Sequence, residues 1–354
     1  MVRYGAALVA QLTKGVLRMK TKSFVVAAVV AAVAGLAVLP SAGAAGYVPT
    51  TLTTPATGTS LAVMARNHQW LCPVDIAPGV PIPPALMVLK NGNTPWVSGT
   101  TINIADIGDA VVPGAVKMKH NFSIRKTATT RILKGNGIPN HAIGQFPIPT
   151  TSAAYPYYAA LPAQGYANAA EIPVQPYDLS LTVPLNPKVL PEPTCLSTLI
   201  IGVVSQTGAA WHAEVAPDSS NNLYNPSSAL PTDKCWGHPY VNQYHYHGYS
   251  WKCFPNQGKK GEPSPLFGYA ADGFGVYGPY SEGKRGSAVA GSTQKPITNA
   301  QLDVCHGHSG WIKWDGKLKY MYHYHTNNEY PYTIGCLRGK IGKMSMAMMH
   351  DPHL

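Results

Sequence analysis

The six residues Asp233-Lys234-Cys235-Trp236-Gly237-His238 return 70 positions later as Asp303-Val304-Cys305-His306-Gly307-His308, and each copy is followed by a Tyr-His-Tyr-His element, Tyr244 to His247 and Tyr322 to His325. Another cysteine comes next in both cases, Cys253 and Cys336. Upstream, Gly202-Val203-Val204-Ser205-Gln206-Thr207-Gly208 precedes the first copy much as Gly268-Tyr269-Ala270-Ala271-Asp272-Gly273 precedes the second. Asp-Gly between apolar runs is a strong hairpin signal, and Gln206-Thr207-Gly208 is a version one residue longer. These correspondences predict two related modules, about 199–253 and 265–336, each a hairpin followed by a cysteine-bounded loop that carries three histidines. A duplicated unit of this kind packs its halves about a pseudo-twofold axis. The expected fold is mostly β, a β-sandwich-like domain built from the two disulfide-bounded modules.

Alternate side chains of a strand share a face, so His245 and His247 point one way and Tyr244 and Tyr246 the other; the same holds for His323 and His325 against Tyr322 and Tyr324. Two imidazoles on one face suit a single ion, and the Gly-His elements supply a third. The candidate ligands are therefore His238, His245, His247, His308, His323 and His325. Three neutral imidazoles with a vacant position form a set used by zinc and by copper, the vacancy being open to water, dioxygen or substrate. The sequence leaves open two separate sites or one shared, dinuclear site. Asp233 and Asp303 lie where they could orient a ligand's far nitrogen. His306 repeats the two-residue spacing to His308 but has Trp236 as its counterpart, so it is an accessory candidate. Met344, Met346, Met348, Met349, His350 and His353 make the 340–354 tail Met/His-rich, which leans the choice toward copper. Against metal binding stands a second class of reading, a metal-free extracellular ligand-binding or structural module whose histidines and tyrosines only hydrogen-bond.

Composition narrows the rest. Charged residues make up 12% of the 354, while Gly (34), Pro (32) and Tyr (20) are abundant, a bias toward short strands and turns. Arg3, Lys14, Arg18, Lys20 and Lys22 precede an apolar run from Phe24 to Leu39 and a small-x-small stretch, Ala42-Gly43-Ala44. This predicts a signal peptide over 1–44, with Met19 as an alternative start and a secreted or periplasmic product; membrane contact is limited to export. The apolar run is shorter than the roughly 20 residues that span a bilayer. Five positive charges and no acidic residue lie in that segment, so of the formal +11 about +6 remains, without a dense basic run. Nucleic acid is not an expected partner. Residues 45–118 read as a Pro/Thr-rich extension. His120 to Ile124 looks like a strand, Leu199 to Val204 like a buried strand, and 147–195 like surface connections. All six cysteines follow the signal segment, which favours three disulfides. Self-contained modules pair Cys235 with Cys253 and Cys305 with Cys336, leaving Cys72 to Cys195; pairing across modules is the alternative. No Gly-x-Ser-x-Gly elbow, phosphate loop or dinucleotide fingerprint occurs, so hydrolase, nucleotide and nicotinamide chemistry lack support.

At these residues the chain resembles the YHYH domain family of exported proteins. The resemblance rests on both Tyr-His-Tyr-His elements, Asn136-Gly137-Ile138-Pro139-Asn140-His141, Asp272-Gly273-Phe274 with Val276-Tyr277-Gly278-Pro279, Leu302 through His308, and Pro331-Tyr332-Thr333-Ile334-Gly335-Cys336. It covers about 119–339. It implies an exported β-rich domain, carries no established activity, and brings His141 forward as a further site residue. Two departures stand out: Gln206-Thr207-Gly208 replaces an Asn-Gly turn, and His306 replaces an Asn.

Overall fold

The computed structural model describes residues 111–155, 172–280 and 297–349, except 197–199, 215, 218–222, 225, 227–229, 241, 249–252, 257, 259–261 and 328, together with four short strand pieces between 52 and 98. The signal segment, most of the 45–118 extension, His350 and His353 lie outside the described residues. Two sheets dominate. Their strands, numbered in chain order, are β1 (Phe122–Lys126), β2 (Thr130–Gly135), β3 (Leu179–Pro184), β4 (Ile200–Val203), β5 (Ala210–His212), β6 (Gly237–Tyr240), β7 (Gln243–Tyr246), β8 (Leu266–Ala270), β9 (Gly275–Tyr277), β10 (Gly307–Trp314), β11 (Lys317–His325) and β12 (Lys343–Met344).

The larger sheet has the order β6-β7-β5-β4-β8-β9-β11-β10. From either edge inward it runs as an antiparallel hairpin, a parallel step and a second hairpin, and the halves meet at the antiparallel β4–β8 pair. The register puts Val203 opposite Tyr269 at that centre, residues that the sequence correspondence also equates. The strand order is thus the pseudo-twofold arrangement expected of two modules. Both inner hairpins turn on a glycine of positive φ, Gly208 at 83° and Gly273 at 90°. The longer Gln-Thr-Gly version still closes, with the Gly208 N–H donating to the Val204 carbonyl at 2.8 Å.

The two faces of this sheet have different jobs. Tyr244, Tyr246, Tyr322, Tyr324, Trp211, Phe267, Phe274 and Val276 fill one buried face, closed over by Ile138, Ile143, Leu196, Ile334 and Leu337 from the connections. Cys235–Cys253 and Cys305–Cys336 lie in this layer, the within-module pairing. Cys195 is disulfide-bonded as well; its expected partner Cys72 is outside the described residues. On the opposite face, Val203, Ala210, Tyr269, Tyr277, Ile312 and Trp314 meet Leu133, Leu179, Leu181 and Val183 of the second sheet, of order β12-β3-β2-β1. The domain is therefore mostly β, two sheets face to face.

This second sheet departs from the sequence expectation. The 147–195 stretch contains β3, whose Leu179, Leu181 and Val183 are buried in strict alternation. Arg131, at 1% exposure, occupies a core position of β2; its guanidinium lies 4.2 Å from the Tyr269 ring centre and bonds Asp315 at 2.9 Å. The tail is also structural up to Met349. β12 completes the second sheet, Met348 is buried in the core, and its sulfur accepts the Ser180 N–H at 3.2 Å. Met344 packs there too. The reason for preferring copper, a free soft-ligand tail, is not met by these two methionines.

Candidate functional site

Local chain geometry builds each histidine cluster in the same way. Asp233 and Asp303 each fold their carboxylate over a tight turn, Oδ1 accepting the N–H of Cys235 (2.8 Å) and Gly237 (3.2 Å) in one copy and of Cys305 (2.9 Å) and Gly307 (3.1 Å) in the other. The turn residues Trp236 and His306 take positive φ, 58° and 71°. Glycine follows because the hydroxyl ends of Tyr244 and Tyr322 lie where a Cβ would stand at Gly237 and Gly307. Those hydroxyls donate to Asp233 Oδ2 (2.9 Å) and Asp303 Oδ1 (3.0 Å). The aspartates thus brace tyrosines and backbone, and among the described residues neither carboxylate hydrogen-bonds an imidazole of the repeat, contrary to the orienting role expected for them. Burial raises both carboxyls, Asp303 to about 7.

From these turns the chain enters β6 and β10, which pair with β7 and β11 so that His238 stands opposite His245 and His308 opposite His323. The next histidine of each tetrapeptide, His247 and His325, closes a triangle. In the first triad His247 Nε2 is 3.0 Å from His238 Nε2 and 3.1 Å from His245 Nε2. In the second, His325 Nε2 is 3.2 Å from His308 Nε2 and 3.1 Å from His323 Nε2. All six are buried, and within each triad the candidate ligand atoms lie within 4.8 Å of one another. Three nitrogens bound to one tetrahedral zinc at 2.0–2.1 Å are themselves ~3.3 Å apart, so the spacing is close to a coordination triangle.

The far nitrogens fix the tautomers. His245 Nδ1–H donates to the Gln243 carbonyl (3.1 Å), His323 Nδ1–H to the Met321 carbonyl (3.1 Å) and His325 Nδ1–H to the Gly278 carbonyl (2.7 Å). His247 Nδ1 bonds Glu214 Oε2 at 3.1 Å, and the other oxygen of that carboxylate accepts the Gly248 N–H. His238 bonds the backbone of Pro231, which has only a carbonyl to offer, so the ring is again the donor. A neutral imidazole that donates from one nitrogen has a bare lone pair on the other. Several lone pairs therefore converge in each triad. Burial lowers the His238 and His245 pKa values well below 6.5, and the neighbouring histidines add to the effect.

The structure brings the six predicted residues together as two separate triads. Five strand steps of about 4.8 Å divide β7 from β11, roughly 24 Å across the sheet, so the shared, dinuclear alternative does not hold. His306 belongs to neither triad: its ring nitrogens face the His325 carbonyl and Asn299 Oδ1, both at 2.7 Å. His141 lies on the tyrosine side, its Nε2 2.5 Å from the Tyr246 hydroxyl. It also neighbours Cys235 and Cys253, but both sulfurs are spent in a disulfide.

Two residues that sequence reasoning missed stand at the first triad. Glu214 is the His247 partner, and His212 stacks on His245 with ring centres 3.6 Å apart and planes within 7°. Both are brought in by β5, which pairs in parallel with β7 through Ala210–His245 and Trp211–Tyr246. The alternation Trp211-His212-Ala213-Glu214 in a charge-poor chain was the available signal.

Residues 170–339 match the family model described as YHYH protein, a start further along than the 119 expected. No curated protein and no solved structure matches the chain. The matched span contains both tetrapeptides and both triads, and over it the chain is similar to the YHYH protein family.

Proposed function

We propose that this is an exported protein that holds one divalent transition metal ion, zinc or copper, in each histidine triad. The observation that carries the reading is the convergence of three Nε2 atoms in each triad, those of His247 and His325 lying 3.0–3.2 Å from both partners, with the opposite nitrogens of His245, His247, His323 and His325 bonded to carbonyl or carboxylate acceptors. Lone pairs brought that close repel unless a cation lies between them. Burial disfavours a proton on His238 and His245, whose pKa values it lowers well below 6.5. A metal ion suits neutral imidazoles, and it leaves a fourth position for water or a small molecule. Glu214 supports the first site further, since a carboxylate on the far nitrogen raises the ligand's basicity.

Export is supported by the sequence of residues 1–44 and by the disulfides, which persist in oxidising compartments. No helix among the described residues is long and apolar enough to cross a membrane.

The test is metal analysis of protein purified without an affinity tag and dialysed against zinc or copper at neutral pH. Two equivalents are expected, falling to one in His245→Ala/His247→Ala and to one in His323→Ala/His325→Ala. Protein that takes up neither metal, with a melting temperature indifferent to chelator, would overturn the reading in favour of a metal-free interaction module.

A further inference from the structure

The two triads share a strand plan but differ in what stands beside them. In the first half the β5–β7 register pairs Trp211 with Tyr246; in the second, the β9–β11 register pairs Val276 with Tyr324. His212 and Tyr277 therefore occupy corresponding places next to the two clusters. Tyr277 contacts His323 edge-on, ring centres 5.2 Å apart, and donates its hydroxyl to the Lys313 carbonyl at 3.2 Å. His212 is 6% exposed, lies flat on His245, and its Nε2 is buried without a hydrogen-bond partner in the protein. An unpaired buried polar nitrogen costs roughly 1–3 kcal/mol, so a site that keeps one calls for a ligand.

His212 is badly placed to be that ion's fourth protein ligand. An ion on His245 Nε2 lies near the plane of the His245 ring, and the His212 ring is parallel to that plane at a centre-to-centre distance of 3.6 Å. A metal–nitrogen bond needs about 2.0–2.1 Å. A ring stacked this way is suited instead to a hydrogen bond with whatever occupies the open coordination position on its side.

We propose that the first triad is the ligand-binding one of the pair: a small metal-coordinating molecule with a hydrogen-bonding atom, such as water, hydroxide or a small anion, is held between the ion and His212 Nε2, and the second triad has no equivalent grip. This rests on the metal-binding reading above. It predicts two sites that differ in their hold on added ligand while both retain metal.

Azide serves as the probe. The chain is loaded with two equivalents of Cu(II), metal content is measured, and azide is titrated while the azide-to-copper charge-transfer band is followed. Two classes of azide binding are expected. His212→Tyr, which copies the second half, should keep two copper equivalents and lose the tighter class, its affinity falling roughly tenfold or more. His212→Gln places an amide donor nearer the position of the imidazole nitrogen than the tyrosine hydroxyl can stand, and tests whether any loss comes from misfolding; it should regain part of the affinity. Tyr277→His should strengthen azide binding at the second site. Two coppers with identical azide titration in wild type and His212→Tyr would overturn the inference and leave the metal reading intact. Loss of one copper equivalent in both His212 variants would also overturn it, by making His212 a direct ligand. Failure to load copper at all would instead be the failure of the metal reading.

Discussion

Glu214→Gln should weaken one metal site and spare the other. The Glu214 carboxylate lies 3.1 Å from His247 Nδ1. Adding the imidazole width and the metal bond puts it ~7 Å from an ion at Nε2. A single negative charge and a dication at that separation attract by about 5 kcal/mol at an effective dielectric near 20. Much of this gross figure is offset, because the unliganded site no longer buries a carboxylate, while glutamine keeps one oxygen for the two N–H donors of His247 and Gly248 and so loses one of the two bonds. Outer partners of metal-bound histidines ordinarily change affinity by about 10–100-fold, or ~1.4–2.7 kcal/mol, and the substitution should fall there. The assay is competition with a chromophoric chelator at pH 7.5, which reports two equivalents separately. The second triad, whose His325 Nδ1 uses the Gly278 carbonyl, is the internal reference. Two unchanged constants, or two constants weakened equally, would refute the role given to this carboxylate.

Three further outcomes follow from the same geometry. Gly307→Ala drives a methyl into the Tyr322 hydroxyl and the His323 carbonyl, so it should destabilise the domain by about 1–3 kcal/mol in urea unfolding and cost the second metal equivalent before the first. Asp303 is raised from 3.8 to about 7 in the folded state, mainly by burial, so the fold binds its proton more tightly than the unfolded chain. Its stabilising contribution is complete below pH 3.8 and is lost as the pH rises through 7, and the stability deficit of Asp303→Asn should accordingly shrink between pH 4 and pH 7; a deficit that grows over that range would contradict the assignment. Removing the Cys305–Cys336 bridge, which closes a separation of 31 residues, should cost about 3–4 kcal/mol by loop entropy, read as a lower denaturant midpoint for Cys305→Ser/Cys336→Ser.

What the sequence made legible was local and periodic. The period-two His-Tyr pattern assigns the imidazoles and the tyrosines to opposite faces without any knowledge of the fold, and the recurring Asp-x-Cys-x-Gly-His turn marks where the partner strands begin. The disulfides follow from the modules because each bridge closes within its own loop. The second sheet was hidden for a physical reason. Arg131 breaks the alternation of β2 yet is buried, because Tyr269, Trp314 and Asp315 accommodate its charge, and that compensation is visible only in three dimensions. β3 was obscured by the proline-rich stretch around it. His212 and Glu214 belong to no motif; they reach the first triad through the parallel pairing of β5 with β7, a long-range contact that spacing along the chain does not encode. The aspartates of the repeat were misread because they are near the histidines in sequence, whereas the pleat turns their carboxylates to the tyrosine face.

Anomalous diffraction at the metal absorption edge, from crystals of the loaded protein, tests the central claim most directly. Two peaks are predicted, roughly 24 Å apart, one inside His238, His245 and His247 and the other inside His308, His323 and His325. A pair of ions side by side, or peaks only at exposed side chains with both triads bare, would contradict it.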